Sequence, residues 1–182
     1  MSEIKPIVKE PDQILRAKAK DLPIKDITSR RIKELISGMK KALKNTPDGV
    51  GLAAPQVGES LRIFIVSEEA EEIDRLSKED LSSEEKEEKR KSHKERDWKY
   101  YVFINPLVKN KSRTKVDGPE GCLSVPGKYG DVHRMQKITV EAHDEHGKKF
   151  TRGASNFFAR VIQHELDHLE GTLFIDKAKN LN

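Results

Sequence analysis

The hexapeptide Gln163-His164-Glu165-Leu166-Asp167-His168 constrains this chain more than any other part of it. Two histidines four residues apart on a helix lie one above the other on the same face, so both imidazoles can reach one ion. The glutamate between them stands where H-E-x-x-H sites keep the base that takes a proton from activated water. Catalytic sites of this type use three protein ligands and leave one position open. The rest of the fold must therefore bring a third ligand to this helix.

The downstream sequence does not supply one. One class of H-E-x-x-H protein continues with x-x-G-x-x-H; Gly171 fits that register, but Phe174 occupies the last histidine's position. Another class takes a glutamate about twenty residues further on, and only fourteen residues follow His168. Glu170 and Asp176 lie too close to match. Upstream, the single cysteine of the chain, Cys122, sits in Glu120-Gly121-Cys122-Leu123-Ser124. A lone cysteine excludes an intrachain disulfide, and beside a divalent cation it becomes a soft, strongly binding thiolate. A third unusual segment, Gly49-Val50-Gly51-Leu52-Ala53-Ala54-Pro55-Gln56, is too rich in small residues for an ordinary helix or strand. It suits a place where a substrate backbone lies against the chain.

Length and composition set the frame. With 182 residues, 36% of them charged, the chain is expected to form one catalytic domain over residues 1–182, soluble and unusually charge-rich. No apolar run approaches membrane-spanning length, and residues 1–12 do not resemble a secretion signal, so a cytoplasmic location is expected. The net charge of +4 hides a division: Glu68 to Asp97 carries 13 acidic and 8 basic side chains, leaving a basic remainder. That remainder is compatible with work near a ribosome, although no motif for reading a nucleic-acid sequence is present.

Periodicity predicts a helix over 26–44, with Ile32, Leu35, Ile36, Met39 and Leu43 on its buried face and Asp26 or Thr28 as cap. Strands are expected at 61–66 and at 100–104, the latter stopped by Asn105-Pro106. A hairpin is expected at 138–142 and 149–151, and a final helix from about Ser155, its N-cap, to Leu169 with Gly171 as its stop. Residues 68–97 read as an inserted, solvated helical pair broken near Leu81, with Glu71–Arg75, Glu85–Lys89 and Glu87–Lys91 at helical spacing. The fold class expected is α+β: short antiparallel strands packed around a central C-terminal helix that carries the ligands.

Taken in order, the three segments Gly49 to Gln56, Glu120 to Ser124 and Gln163 to His168 resemble the peptide deformylase motifs G-x-G-x-A-A-x-Q, E-G-C-x-S and Q-H-E-x-D-H. The resemblance implies one divalent ion held by Cys122, His164 and His168, commonly ferrous iron, with nickel, cobalt or zinc as substitutes. It implies Glu165 as general base, and Gln56 with the backbone N–H of Leu123 as donors to an oxyanion. The implied substrate is the N-formyl-methionyl end of a nascent polypeptide, with formate released. The peptide is expected to lie along Val50, Gly51 and Leu52 as an added strand. Its methionine side chain would enter an apolar pocket that includes Val50, Leu123, Val125 and Val161.

Other residues carry less. Asp167 is expected to orient a ligand imidazole or a basic partner such as Arg134, or to form a surface ion pair. Arg160 reads equally well as a snorkelling surface residue, and Tyr129 as a cleft or a packing residue. Ribosome docking through a further C-terminal helix is not expected, since six residues follow Asp176. Two rivals remain: another amidase or peptidase with the same ligands, and a metal-binding module without catalysis. Glu165 and Gln56 speak against the second, because metal storage needs neither.

Overall fold

The computed structural model describes residues 6–46, 49–76 and 97–182. Its organising element is a five-stranded antiparallel sheet with strand order β1-β2-β3-β8-β9, formed by Gly51–Ala53 (β1), Ile63–Ser67 (β2), Tyr100–Lys111 (β3), Lys137–His143 (β8) and Lys149–Ser155 (β9). β2 explains why the sheet is covered on both faces. All five of its residues are buried, and its alternation sends Phe64 and Val66 into one core and Ile63 and Ile65 into another. A strand buried on both sides reads as a continuous apolar run, as Ile-Phe-Ile-Val does before Ser67 ends it.

The first core packs the sheet against the helix Asn156–Leu169, here α3, through Phe158, Ala159, Val161, Ile162 and Leu169. The second packs it against α1, Arg30–Lys44, through Ile32, Leu35, Ile36, Met39, Ala42 and Leu43. The remaining strands among the described residues form two small sheets: β4 (Lys115–Val116) with β7 (Arg134–Met135), and β5 (Pro119–Cys122) with β6 (Val125–Asp131). The architecture is α+β, with antiparallel sheets and a C-terminal helix.

Several boundaries differ from the sequence-based expectation. α1 begins at Arg30, not at residue 26, because Asp26 closes a separate 3-10 turn, Ile24–Asp26. Its cap is Ser29, whose hydroxyl accepts from Ile32 N at 3.4 Å. Asn105-Pro106 does not stop β3. The strand bulges there, shifting its pairing with β8 between Ile104 and Leu107, and continues to Lys111. Asn105 takes φ 49°, and its amide accepts from Leu22 N at 2.8 Å while donating to Leu22 O at 2.7 Å. The bulge accommodates both the left-handed asparagine and the proline without a donor.

The span 68–97 is also not simply solvated where it is described. Its first helix, α2 (Glu69–Leu76), buries Ala70, Asp74 and Leu76. Arg75 pairs with Glu72, while Glu71 instead accepts from Tyr101 Oη at 2.7 Å and Arg152 Nη2 at 2.6 Å. The expected break near Leu81 and the Glu85–Lys89 and Glu87–Lys91 pairs lie outside the described residues.

At its C-terminal end, α3 stops at Gly171, which has φ 71° and a Cα so near Arg16 that an added Cβ would meet that residue's carbonyl oxygen at 2.4 Å. Only glycine fits there. The N-terminal segment is thereby seated under the end of the helix. Replacing Asn105 by Ala leaves two backbone groups of Leu22 unpaired, and we expect a loss of about 1–3 kcal/mol by urea denaturation with an unchanged slope.

Candidate active site

α3 places His164, Glu165 and His168 on the face turned toward β1 and the β5–β6 hairpin, and Cys122, the last residue of β5, meets them there. One donor atom from each of Cys122, His164 and His168 lies within 4.8 Å of the other two. Cys122 Sγ is 3.3 Å from His168 Nε2. Tetrahedral coordination with metal–sulfur and metal–nitrogen bonds of usual length separates such atoms by about 3.6 Å, so the set fits a divalent ion after a small adjustment. The buried Oε2 of Glu165, a neighbour of both histidines in sequence, has no hydrogen-bond partner. An orphaned carboxylate oxygen beside three soft or borderline donors is the arrangement that an ion with an exchangeable water would complete.

Glu120 holds this group together. β-strand alternation puts it on the same side as Cys122, two residues on. Its Oε1 accepts from Arg134 Nε at 2.8 Å and Arg160 Nη1 at 3.0 Å; its Oε2 accepts from Arg134 Nη2 at 2.8 Å and His164 Nδ1 at 3.0 Å. Burial works against the Glu120 carboxylate, but the hydrogen bonds from Arg134 and His164 outweigh it and hold the group at about 2. Because the carboxylate can only accept, Nδ1 of His164 carries the proton and Nε2 is left to coordinate. On its other side His164 stacks on Phe174, whose ring centre is 6.2 Å away.

The two imidazoles have opposite electrostatics. Burial, then the neighbouring His164, holds His168 well below the ordinary histidine value, so it is a neutral ligand. For His164 burial also opposes the cation, yet hydrogen bonds with Cys122 and Glu120 prevail and raise it to about 10. A divalent ion would displace that extra proton. Burial pushes the Glu165 carboxyl up to about 7.

Gln56 is aimed by its own backbone turn. The 3-10 turn Ala54–Val57 follows β1, and Gln56 Oε1 accepts from Ala53 N at 2.8 Å. Its amide nitrogen must then face the site, where it donates to Ser124 Oγ at 3.2 Å and approaches Cys122 Sγ at 3.6 Å. Ser124 N also points at Cys122 Sγ, 3.4 Å away. Leu123 forms part of the short turn between β5 and β6, and Lys9 donates to its carbonyl at 2.5 Å.

These residues open into a cleft of about 420 Å³ lined by Val50, Gly51, Gln56, Leu123, Val125 and Val161, with Phe157 and Tyr129 also on its wall. Leu52, expected to meet the peptide through its backbone, does not line the cleft with its side chain. Its side chain is fully buried in the core against α1, because β1 alternation turns it away from the cleft. Gly51 faces the cleft instead, and a Cβ on it would meet Glu165 Oε1 at 2.3 Å. Ser67 N donates to Val50 O at 2.8 Å, while Ala53 N turns the other way to Gln56. The alternation leaves Gly51's N–H and C=O on the open edge of the sheet.

Sequence reasoning left Glu120 and Ser124 without roles and treated Arg160 as equally at home on the surface. Arg160 is buried at 7% exposure and also donates to Gly118 O, Val132 O and Val116 O. The i, i+2 relation of Glu120 to Cys122 was the available signal. Asp167 bonds Arg134 Nη1 at 2.5 Å and Lys177 Nζ at 2.6 Å rather than an imidazole.

A family model described as polypeptide deformylase matches residues 4–182. The chain belongs to the peptide deformylase family. It is 40% identical over 182 residues to the peptide deformylase of Christiangramia forsetii, covering 98% of this chain and 83% of that one. It is 38% identical over 171 residues to peptide deformylase 1A, chloroplastic/mitochondrial, of Arabidopsis thaliana, covering 94% of this chain and 60% of the relative. The chain thus spans about three fifths of the length of the plant deformylases that it matches. Among solved structures, a Met-Ala-Ser-bound peptide deformylase from Acinetobacter baumannii superposes with TM-score 0.77 at 29% identity, covering 97% of this chain and 99% of that one. One from Legionella pneumophila gives 0.75 at 31% identity, covering 97% and 87%.

If Glu120 fixes the His164 tautomer, replacing it by Gln should weaken binding of Co²⁺ about 10–100-fold in equilibrium dialysis. The far-ultraviolet circular dichroism should stay that of a folded protein.

Proposed function

We propose that this protein is a metal-dependent deformylase that hydrolyses the formyl amide at the N-terminal formyl-methionine of nascent polypeptides and releases formate. The observation that carries the reading is the convergence of Cys122, His164 and His168 within 4.8 Å beside the unpartnered Glu165 carboxylate oxygen. The donor set suits a first-row divalent ion; ferrous iron is the ion that the family resemblance implies, with nickel, cobalt or zinc able to take the same ligands. When bound, the ion would supply Lewis acidity, which lowers the pKa of water toward about 7.

The chain's own residues do the rest. Glu165 takes a proton from water as its oxygen bonds to the formyl carbon, then gives that proton to the amine nitrogen as the C–N bond breaks. Its elevated pKa suits a group that must both accept and return a proton near neutral pH. Gln56 Nε2 and the Leu123 N–H serve as donors to the developing oxyanion, and preorganised donors of this kind contribute about 3 kcal/mol each. Gln56 needs no reorganisation, because Ala53 N already fixes which end of its amide faces the site.

The peptide pairs with the open edge of β1 at Gly51, and its methionine side chain occupies the apolar wall formed by Val50, Leu123, Val125 and Val161. Leu52 contributes only to the strand that holds Gly51 in place. We take the whole chain as one catalytic domain acting in the cytoplasm, in at most transient contact with the ribosome. No helix among the described residues is long and apolar enough to cross a membrane.

Formate release from formyl-Met-Ala-Ser under anaerobic conditions tests this reading. The wild-type protein should turn over, and Glu165→Ala should keep its metal while losing at least a factor of about 100 in kcat. Cleavage of internal peptide bonds without formate release would instead favour a peptidase. Gly51→Ala, which drives a methyl group into the Glu165 carboxylate, should lower kcat/KM by more than tenfold with the melting temperature changed by only a few degrees.

A further inference from the structure

We infer that Asp74, on the helix α2 that opens the charged segment, is a positioning residue for the side-chain pocket of the proposed deformylase site. It acts by capping the first turn of α3, and the inference rests on the function proposed above.

The N-terminus of α3 lacks the cap its sequence promises. Ser155 stands at the N-cap position but makes no side-chain hydrogen bond to the helix. Asn156 enters the helix with φ 50°, a left-handed conformation that a non-glycine residue holds only when its surroundings enforce it. Asn156 N donates to Gln136 O at 2.8 Å. The next two amides are taken by one carboxylate from far back in the chain: Phe157 N donates to Asp74 Oδ1 at 2.9 Å, and Phe158 N to Asp74 Oδ2 at 3.0 Å. Asp74 is 8% exposed. A buried carboxylate at this end also meets the positive pole of the helix.

α2 is held firmly enough to impose this geometry. Ala70 and Leu76 on the same helix are buried, Ala70 in the core that contains Phe158. Glu71, one turn before Asp74, ties Tyr101 Oη and Arg152 Nη2, and the Arg152 guanidinium lies 3.9 Å from the Tyr101 ring centre. The cap thus arrives on a braced element.

The consequence for the site follows from where the capped turn leads. Phe157, whose amide Asp74 Oδ1 holds, lines the cleft, and Val161 one turn later lines it too. His164, two turns beyond Phe157, has its own anchor in Glu120. Loss of the cap should loosen the pocket wall before it disturbs the ligands. Substrate side-chain recognition and turnover should therefore separate.

The test compares wild type, Asp74→Ala and Asp74→Asn. Asp74→Ala should raise KM for formyl-Met-Ala-Ser about tenfold, the size of effect a lost cap can produce, with kcat within twofold. It should also narrow the preference over formyl-Ala-Ala-Ser. Asp74→Asn, which keeps one acceptor, should recover most of both. Two readouts do not need turnover: calorimetric titration with Met-Ala-Ser should weaken about tenfold in Asp74→Ala, and the Phe157 and Phe158 amides should exchange faster while those of 164–168 do not. A lower melting temperature with unchanged KM, selectivity and Met-Ala-Ser affinity would make Asp74 merely structural and overturn the inference. Should Asp74→Ala not fold, Asp74→Asn still leaves one of the two amides without an acceptor, so the Phe157 or the Phe158 amide should exchange faster than in wild type; unchanged exchange of both would do the same. A wild-type protein that binds Met-Ala-Ser but releases no formate would sink the proposed reaction alone, leaving the titration and exchange to decide this point.

Discussion

One buried carboxylate ties the centre of this molecule together. Glu120 accepts four hydrogen bonds from charged or chargeable groups: two from Arg134 on β7, one from Arg160 and one from His164, both on α3. Each lone-pair direction is used, which is the condition under which a buried ionic group is tolerable. Breaking such a cluster by removing one partner costs about 3–5 kcal/mol. The cluster pins β5 to α3 at the point where Cys122 must approach the two imidazoles. Arg134 passes the constraint on to Asp167, and Asp167 to Lys177 in the C-terminal segment.

The sheet supplies the second constraint. Because β2 and the first half of β3, Tyr100 to Ile104, put apolar side chains on both faces, the sheet can be packed by α1 on one side and α3 on the other. That leaves α3 buried along most of its length, with Phe157, Val161, His164 and Glu165 turned to the cleft. Glu165 is consequently a desolvated carboxyl at 3% exposure, and His168 a neutral imidazole at 1%. The chemistry of the site follows from the packing that positions it.

Local signals in the sequence carried the helices and the hairpin well. The apolar spacing of α1 and the Asp144–Gly147 turn between β8 and β9 are set by residues close in the chain, and so were legible. The motif residues Cys122, Gln56, His164 and His168 could be named because each has unusual chemistry for its place. What could not be read depends on contacts between distant residues. The bulge at Asn105 answers to the backbone of Leu22, the burial of Arg160 answers to Glu120 and three carbonyls, and the cap of α3 comes from Asp74 instead of Ser155. The inward turn of the Leu52 side chain, by contrast, follows from strand alternation beside Gly51.

The open border of β1 is very short. It spans three residues, and one of its outward amides, at Ala53, is already committed to Gln56. A chain pairing with it could therefore be held by β1 backbone over little more than a single residue. Such a border cannot nucleate the indefinite zipping that makes longer sheet margins prone to clumping. On the function proposed above, recognition through so short a border would leave most of a bound polypeptide unread.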